Sequence, residues 1–364
     1  MVKRFVSAAL CGLGLTLSSA CALVLGFEDH QPFPPEAGVT ADGSDDGPTS
    51  VDAGPIDDAG RDAQSSVLAR GPLGARGIAV DGTTVYWAVE SDKSVRAVDK
   101  NGGEARVARQ LLAKPADGTP GDVAVDALYV YVGVTSPVTD YIQGCEVVRF
   151  EKGQLDAAAG FGCVLSMPNL SNVLKRFVLN GAFIYGSGAF YNTGESVFQV
   201  GVDGTNPTTP VKQEKGIGPV VSAGSDLYYV KSGGTTIVRF PKPGGPGVDF
   251  ATGQATVLDL AADDTAVYWV TEGGSVSKLA LGVDAGTPEV LASGQASPYR
   301  LALDATNVYF TAASGGTVSF VPKNGGAAAR ALASGLVSPR SLALDETSIY
   351  ATCDDGAVIK IPKP

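Results

Sequence analysis

The sequence predicts an all-β fold, a seven-bladed β-propeller closed by an N-terminal strand that completes the last blade, preceded by a signal peptide and a disordered acidic linker. Three observations carry this expectation. One pattern recurs seven times: an apolar stretch ending in a small polar turn, a short spacer, then an aliphatic residue and Tyr. Clear copies are Ile78-Ala79-Val80-Asp81…Val85-Tyr86 and Leu301-Ala302-Leu303-Asp304…Val308-Tyr309. The tyrosines fall at 86, 131, 185, 228, 268, 309 and 350, spaced 45, 54, 43, 40, 41 and 41 residues apart, the period of a four-stranded blade. The Lys100-Asn101-Gly102-Gly103 and Lys323-Asn324-Gly325-Gly326 segments hold residue types that tolerate positive φ in hairpin turns. Finally, Ser66-Val67-Leu68-Ala69-Arg70-Gly71 copies the last-strand text of later repeats, Ala331-Leu332-Ala333-Ser334-Gly335, yet precedes the first repeat.

In chain order, Lys3 and Arg4 precede an apolar run from Phe5 to Leu17 and then Cys21, the layout of an exported chain cut before a cysteine. Residues 1–20 resemble the signal peptide of bacterial lipoproteins. The resemblance implies lipidation at Cys21, a membrane partner through that anchor, and outer-membrane localisation, because Ala22 stands where the family's inner-membrane retention signal has Asp. Residues 21–63 follow as a lipid-anchored linker. Between 28 and 62 ten acids face one base, Arg61, so charge repulsion and lack of apolar surface predict disorder.

The formal net charge of −11 divides into +2 from Lys3 and Arg4, −9 from residues 28–62 and −4 from residues 63–364. A nearly balanced folded part gives no basic face for nucleic acid.

Residues 64–364 hold the repeats. In each, strand a is the Leu-Ala-Leu segment and strand b carries the Tyr. Strand b is apolar almost throughout, as in Val85-Tyr86-Trp87-Ala88-Val89, as expected where neighbouring blades cover both faces of a sheet. Strand c is typified by Thr317 to Val321 and strand d by Arg330 to Ala333. The chain reaches Ile361-Pro362-Lys363-Pro364 where a c–d turn would begin, so residues 66–70 are predicted to supply the missing strand of the last blade.

Through Tyr86-Trp87-Ala88-Val89, Tyr268-Trp269-Val270-Thr271 and Tyr309-Phe310-Thr311-Ala312 the repeats resemble the propellers of the YWTD and NHL families, over residues 65–364. No copy has the fourth-position Asp of the YWTD motif, so the resemblance implies architecture and not partners.

Asp81, Asp126, Asp263, Asp304 and Asp345 end strand a, with Thr two residues on in four of these copies. An Asp that opens a tight turn accepts backbone N–H bonds, so these carboxylates read as turn residues rather than metal ligands. The only histidine is His30, before the repeats. Ser-His-Asp and Cys-His catalysis are thereby excluded from the propeller, and no cofactor is expected. Export favours a disulfide between Cys145 and Cys163, contributing on the order of 3 kcal/mol. Cys353 remains a buried thiol.

The d–a and b–c connections share one face, which varies most between repeats, notably at 133–144 (Pro137, Asp140, Tyr141) and 187–195 (Phe190, Tyr191, Asn192). Such loops on a rigid scaffold usually carry binding. Four or five residues before the turn Asp stand Arg76, Arg300 and Arg340, and at the same offset in the third repeat Lys175 and Arg176. Strand a lines the channel, so these side chains, with Tyr299 and Asp122, are expected to ring its mouth, a cationic site for an anionic saccharide, small ligand or chain terminus. The leading expectation is a monomeric, non-catalytic binding or scaffolding lipoprotein of the cell envelope, engaging an envelope protein or such a ligand. One alternative is an enzyme resembling metal-dependent lactonase-type propellers, with Asp122, Asp259 and Asn172 as the only suggestive ion-binding set. Another is a purely structural envelope component.

Overall fold

A computed structural model describes residues 65–111, 119–135, 146–154, 162–165, 173–190, 194–241 and 245–364. Strand β1 (Ser66–Arg70) leads. Blade 1 comprises β2 (Ala75–Val80), β3 (Thr84–Val89), β4 (Ser94–Asp99) and β5 (Arg106–Gln110). Blade 2 comprises β6 (Thr119–Val125), β7 (Tyr129–Thr135), β8 (Val147–Glu151) and β9 (Gly162–Leu165). Blade 3 comprises β10 (Val173–Asn180), β11 (Phe183–Phe190), β12 (Gly194–Gly201) and β13 (Thr208–Glu214). Blade 4 comprises β14 (Val220–Ala223), β15 (Asp226–Lys231), β16 (Thr236–Pro241) and β17 (Val248–Ala251). Blade 5 comprises β18 (Val257–Ala262), β19 (Ala266–Thr271), β20 (Val276–Ala280) and β21 (Glu289–Ala292). Blade 6 comprises β22 (Pro298–Leu303), β23 (Asn307–Ala312), β24 (Thr317–Pro322) and β25 (Arg330–Ala333). Blade 7 comprises β26 (Pro339–Leu344), β27 (Ser348–Cys353) and β28 (Ala357–Pro362), and β1 is its fourth strand.

The clasp is antiparallel, with Ser66 opposite Lys360 and Arg70 opposite Ala357. Past the strand, the Gly71 N–H donates to the Gly356 carbonyl at 2.9 Å. Among the described residues the only helical element is a single 3₁₀ turn, Ser232–Gly234, and no helix is long and apolar enough to cross a membrane.

Alternation along strand b explains why the blades must close into a ring. Tyr86 and Ala88 pack with Val123, Val130 and Val132 of blade 2, whereas Val85, Trp87 and Val89 pack with Tyr350 and Val358 of blade 7. Successive side chains point to opposite faces of a sheet, so each inner strand feeds two interfaces. Trp87 and Trp269 are both fully buried.

Close approach of inner strands sets one glycine. A Cβ on Gly77 of β2 would lie 2.5 Å from the Gly121 carbonyl oxygen and 2.6 Å from the Asp122 Cα, both backbone atoms of the next blade.

The turn aspartates do what their spacing predicts and one thing more. Asp304 Oδ1 accepts from the N–H groups of Thr306 and Asn307, both at 2.9 Å, and Asp345 Oδ1 accepts from Thr347 and Ser348 at 2.9 and 2.8 Å. The second oxygen accepts from the repeat tyrosine five residues on, at 2.7 Å from Tyr309 and 2.9 Å from Tyr350. A lysine from the following blade then completes the contact: Lys152 to Asp81 at 2.8 Å, Lys323 to Asp263 at 2.7 Å, Lys363 to Asp304 at 3.2 Å and Lys100 to Asp345 at 2.6 Å. These bonds staple neighbouring blades, and the Lys100 bond crosses the seam between blades 7 and 1. In sequence, Lys100 and Lys323 read only as residues of glycine turns.

Burial works against ionisation of these carboxyls, but the lysine, tyrosine and backbone donors outweigh it. Asp304 is lowered to about 2, and Asp263 and Asp345 are held well below the usual carboxylate range. Because the folded values lie below the unfolded value of about 3.9, this stabilisation is complete above pH 4 and disappears as pH falls through the folded values. A nearly flat thermal midpoint between pH 7 and 5 and a steep fall below pH 4 are therefore expected, with the fall reduced in Asp304→Asn. Tyr309→Phe should cost about 1 kcal/mol in denaturant unfolding. Gly77→Ala should cost about 1–3 kcal/mol, because a methyl group has to displace backbone; an unchanged unfolding midpoint would contradict the tight seam.

Candidate functional site at the channel mouth

Inner-strand irregularity builds the site. Six of the seven inner strands slip register beside their mouth-facing residue, between Ala75 and Ile78, Pro120 and Val123, Leu174 and Arg176, Val257 and Asp259, Pro298 and Leu301, and Pro339 and Ser341. Blade 4 pairs without a slip. An extra residue in one strand re-aims a side chain and frees a backbone N–H. Buried threonines of strand b take up two such donors: Thr311 Oγ1 accepts from Arg300 N at 3.1 Å and Thr352 Oγ1 from Ser341 N at 3.2 Å. Just upstream, Ser297 and Ser338 adopt φ of 57° and 49° immediately before proline, where Gly74 serves in blade 1 with φ 79°. Holding serine there costs local backbone energy and fixes the corner from which Tyr299, Arg300 and Arg340 project.

Five of the six residues expected at the mouth line one pocket there, and the sixth, Arg176, lies deeper in the channel. A pocket of about 90 Å³ is lined by Arg76, Asp122, Tyr299, Arg300 and Arg340 among others. Beneath it the channel opens to about 370 Å³, lined by Asp122, Arg176, Asp259 and Arg300.

The expected cationic ring is instead close to charge-balanced. Arg76 contacts Glu90 and lies 3.8 Å from Asp354, and Arg340 binds Asp354 through Nε at 2.8 Å and Nη2 at 2.5 Å. Lys175 holds Glu195 at 2.6 Å and donates to the Ile217 carbonyl. Arg176 Nη1 donates to Asp122 at 2.7 Å, and its Nη2 lies 2.8 Å from Asp259 Oδ1. These four cations, with Arg300 a fifth, face five carboxylates, since cationic groups shielded from water need compensating charge. Glu90 and Asp354 immediately follow strand b of their blades. An acid just past the inner hairpin was the available signal, and spacing to the turn Asp did not reveal it.

Arg176 is the central element. Its side chain is 16% exposed and that of Asp259 is 1% exposed. The guanidinium joins a blade 3 strand to carboxylates on blades 2 and 5, passing over unslipped blade 4. Burial opposes its charge, but Asp122 and Asp259 outweigh that and raise its pKa. The same carboxylates tie adjacent strands: Asp122 Oδ2 accepts from Phe177 N at 3.3 Å and Asp259 Oδ2 from Leu301 N at 3.1 Å. Two of the three residues that suggested a metal site are therefore brought together, with a guanidinium between them. The third, Asn172, lies outside the described residues. No cluster of three His, Cys, Asp or Glu suited to a metal occurs among the described residues.

Arg300 differs from its neighbours. Its Nη1 is 3.5 Å from the Leu258 carbonyl and its Nη2 is 3.9 Å from Asp122, both long contacts, while its side chain is only 16% exposed. It lies 4.7 Å from the Tyr299 ring centroid, and Arg340 lies 5.6 Å from the same ring.

Cys163, on β9, is disulfide-bonded, and Cys145 lies outside the described residues. Cys353 is a free buried thiol whose pKa is pushed up to about 12, chiefly by burial and then by Asp355 and Asp354. Cys21, Pro137, Asp140, Tyr141, Tyr191 and Asn192 are likewise outside the described residues.

Neither a known family profile nor a curated protein matches the sequence. Solved structures do. Virginiamycin B lyase from Staphylococcus aureus aligns with a TM-score of 0.65 at 14% identity, covering 83% of this chain and 99% of the lyase. YCF48 from Cyanidioschyzon merolae aligns with a TM-score of 0.59 at 12% identity, covering 82% and 99% respectively. The WD40 propeller domain of Doa1 aligns with a TM-score of 0.59 at 11% identity, covering 83% and 98%. At these identities the likeness is one of fold.

Arg176→Met should cost about 3–5 kcal/mol, because it leaves Asp259 buried without a counter-charge. The double variant Arg176→Met with Asp259→Asn should recover part of that loss. Chemical denaturation measures both; a single-variant cost below about 1 kcal/mol would remove the cross-channel strut.

Proposed function

We propose that this chain is an exported, lipid-anchored propeller of the bacterial envelope that binds a ligand or partner at its channel mouth without transforming it. In this reading residues 1–20 are a signal peptide, Cys21 carries the lipid, residues 21–63 are a leash and the propeller is the binding module.

The observation that carries the reading is the mouth itself: polar side chains fixed by their own partners surround a pocket in which Arg300 keeps unused donors. Such groups need little reorganisation to receive a ligand, and fixed polar positions favour recognition. Catalytic machinery is not apparent beside them. A fold neighbour, virginiamycin B lyase, has a variant described as catalytically inactive in which one histidine is replaced by alanine. The one histidine of this chain, His30, precedes the repeats, so chemistry that depends on a histidine has none within them. Another neighbour, YCF48, has been solved bound to a peptide, an example of this architecture serving as a binding surface.

Fractionation and capture test the reading together. The full-length chain should sediment with membranes, Cys21→Ala should move it to the soluble fraction, and the purified protein should retain a component of envelope extract unchanged. One stoichiometric divalent ion accompanied by ester turnover would overturn it in favour of the hydrolase alternative.

A further inference from the structure

We infer that Arg300 is the anchor for a single carboxylate, and that the ligand carries an aliphatic group beside it, as at the carboxyl end of a peptide. The inference rests on the binding reading above and names the chemistry of the same site.

Four of the five cations at the mouth are already used. Arg76, Lys175, Arg176 and Arg340 each have a carboxylate within 2.9 Å, whereas the nearest carboxylate to Arg300 is 3.9 Å away. A largely buried guanidinium with five donors and two long contacts is under-satisfied, and a planar carboxylate is the group its fork accepts in two parallel bonds. Arg300 lines both the mouth pocket and the channel below, so its open donors face the cavity.

Charge limits the ligand to a monoanion. Asp122 shares the pocket with Arg300, and its charge penalises a second negative charge placed beside the first. Space limits it to the end of a molecule, because the pocket is about 90 Å³ and the Asp122–Arg176–Asp259 strut lies beneath. The rim adds the apolar requirement. Leu73 and Val337 are 66% and 54% exposed and stand three residues before Arg76 and Arg340. The Asp354 corner holds both loops, the Gly74 N–H donating to its carbonyl and its own N–H to the Val337 carbonyl. Exposed aliphatic side chains on the two loops that lead into the pocket-lining Arg76 and Arg340 suit a chain end with an aliphatic side chain better than a uronic acid, which presents hydroxyls all round.

Titration of the purified full-length chain with N-acetyl-Ala-Leu, its C-terminal amide, glucuronate and inorganic phosphate tests this by calorimetry. The acid should bind at least about tenfold tighter than the amide, glucuronate more weakly than the acid, and phosphate not at all. Arg300→Gln should abolish the preference for acid over amide without lowering the melting temperature appreciably, and Arg300→Lys should restore only part of it, having charge without the fork. Equal binding of acid and amide by the wild-type chain would overturn the carboxylate anchor even if the variants failed to fold, and stronger binding of phosphate or glucuronate would overturn the assigned ligand class. If envelope extract yields a retained component that Arg300→Gln also retains, the binding reading stands and the anchor fails. If the wild-type chain retains neither peptide nor extract component, both fail.

Discussion

Two-sided burial of the inner strands is the constraint from which the rest follows. A strand such as Val85-Tyr86-Trp87-Ala88-Val89 sends alternate side chains into two different interfaces, so no blade can stand at the end of a row without exposing one apolar face. A closed ring satisfies that demand for all seven sheets. The clasp of β1 on β28 makes the last blade equal to the others, and the seam between blades 7 and 1 accordingly has a core of its own, with Trp87 and Tyr350 fully buried.

Closure brings charge as well as apolar surface into the interior, and the two ends of the channel deal with it differently. On the a–b and c–d face, Asp263, Asp304 and Asp345 are each shared among backbone donors, a tyrosine hydroxyl and a lysine from the next blade, so polar groups buried by blade packing become staples between blades. On the opposite face the inner strands bulge, and their charged residues meet across the channel. Arg176 joins carboxylates of blades 2 and 5 across the channel. The mouth is thereby a pre-set polar pocket whose charges are mostly committed to one another. Such a pocket is better suited to recognition than to chemistry, because groups already neutralised by a fixed partner are poor proton carriers but well-held hydrogen-bonding positions.

That balance changes how the arginines should be regarded. Four of them, spaced like a ring, suggest an attractive field, but Glu90, Asp354, Asp122 and Asp259 cancel most of it. In the proposed binding role, selectivity rests on the one guanidinium left with weak partners rather than on net charge, so that a single functional group on a ligand is read in place of its overall polarity.

The sequence by itself determined the number of blades, the strand order, the clasp and the turn role of the aspartates. Each is a local or periodic property: the spacing of Tyr86 to Tyr350, the repeated strand-d text at Ser66, and an Asp placed two residues before its own N–H donor. It also placed Arg76, Tyr299, Arg300 and Arg340 at one mouth, since equal offsets in equivalent strands must converge on one axis. Only the tertiary structure decided which of those residues are free. Partners such as Lys152 for Asp81 or Asp259 for Arg176 lie on other blades, from 71 to 83 residues away in the chain, and the bulges that aim them depend on strand pairing. Periodicity fixes where a side chain stands around the ring. Whether its charge is already answered depends on contacts across the ring, which no single repeat encodes.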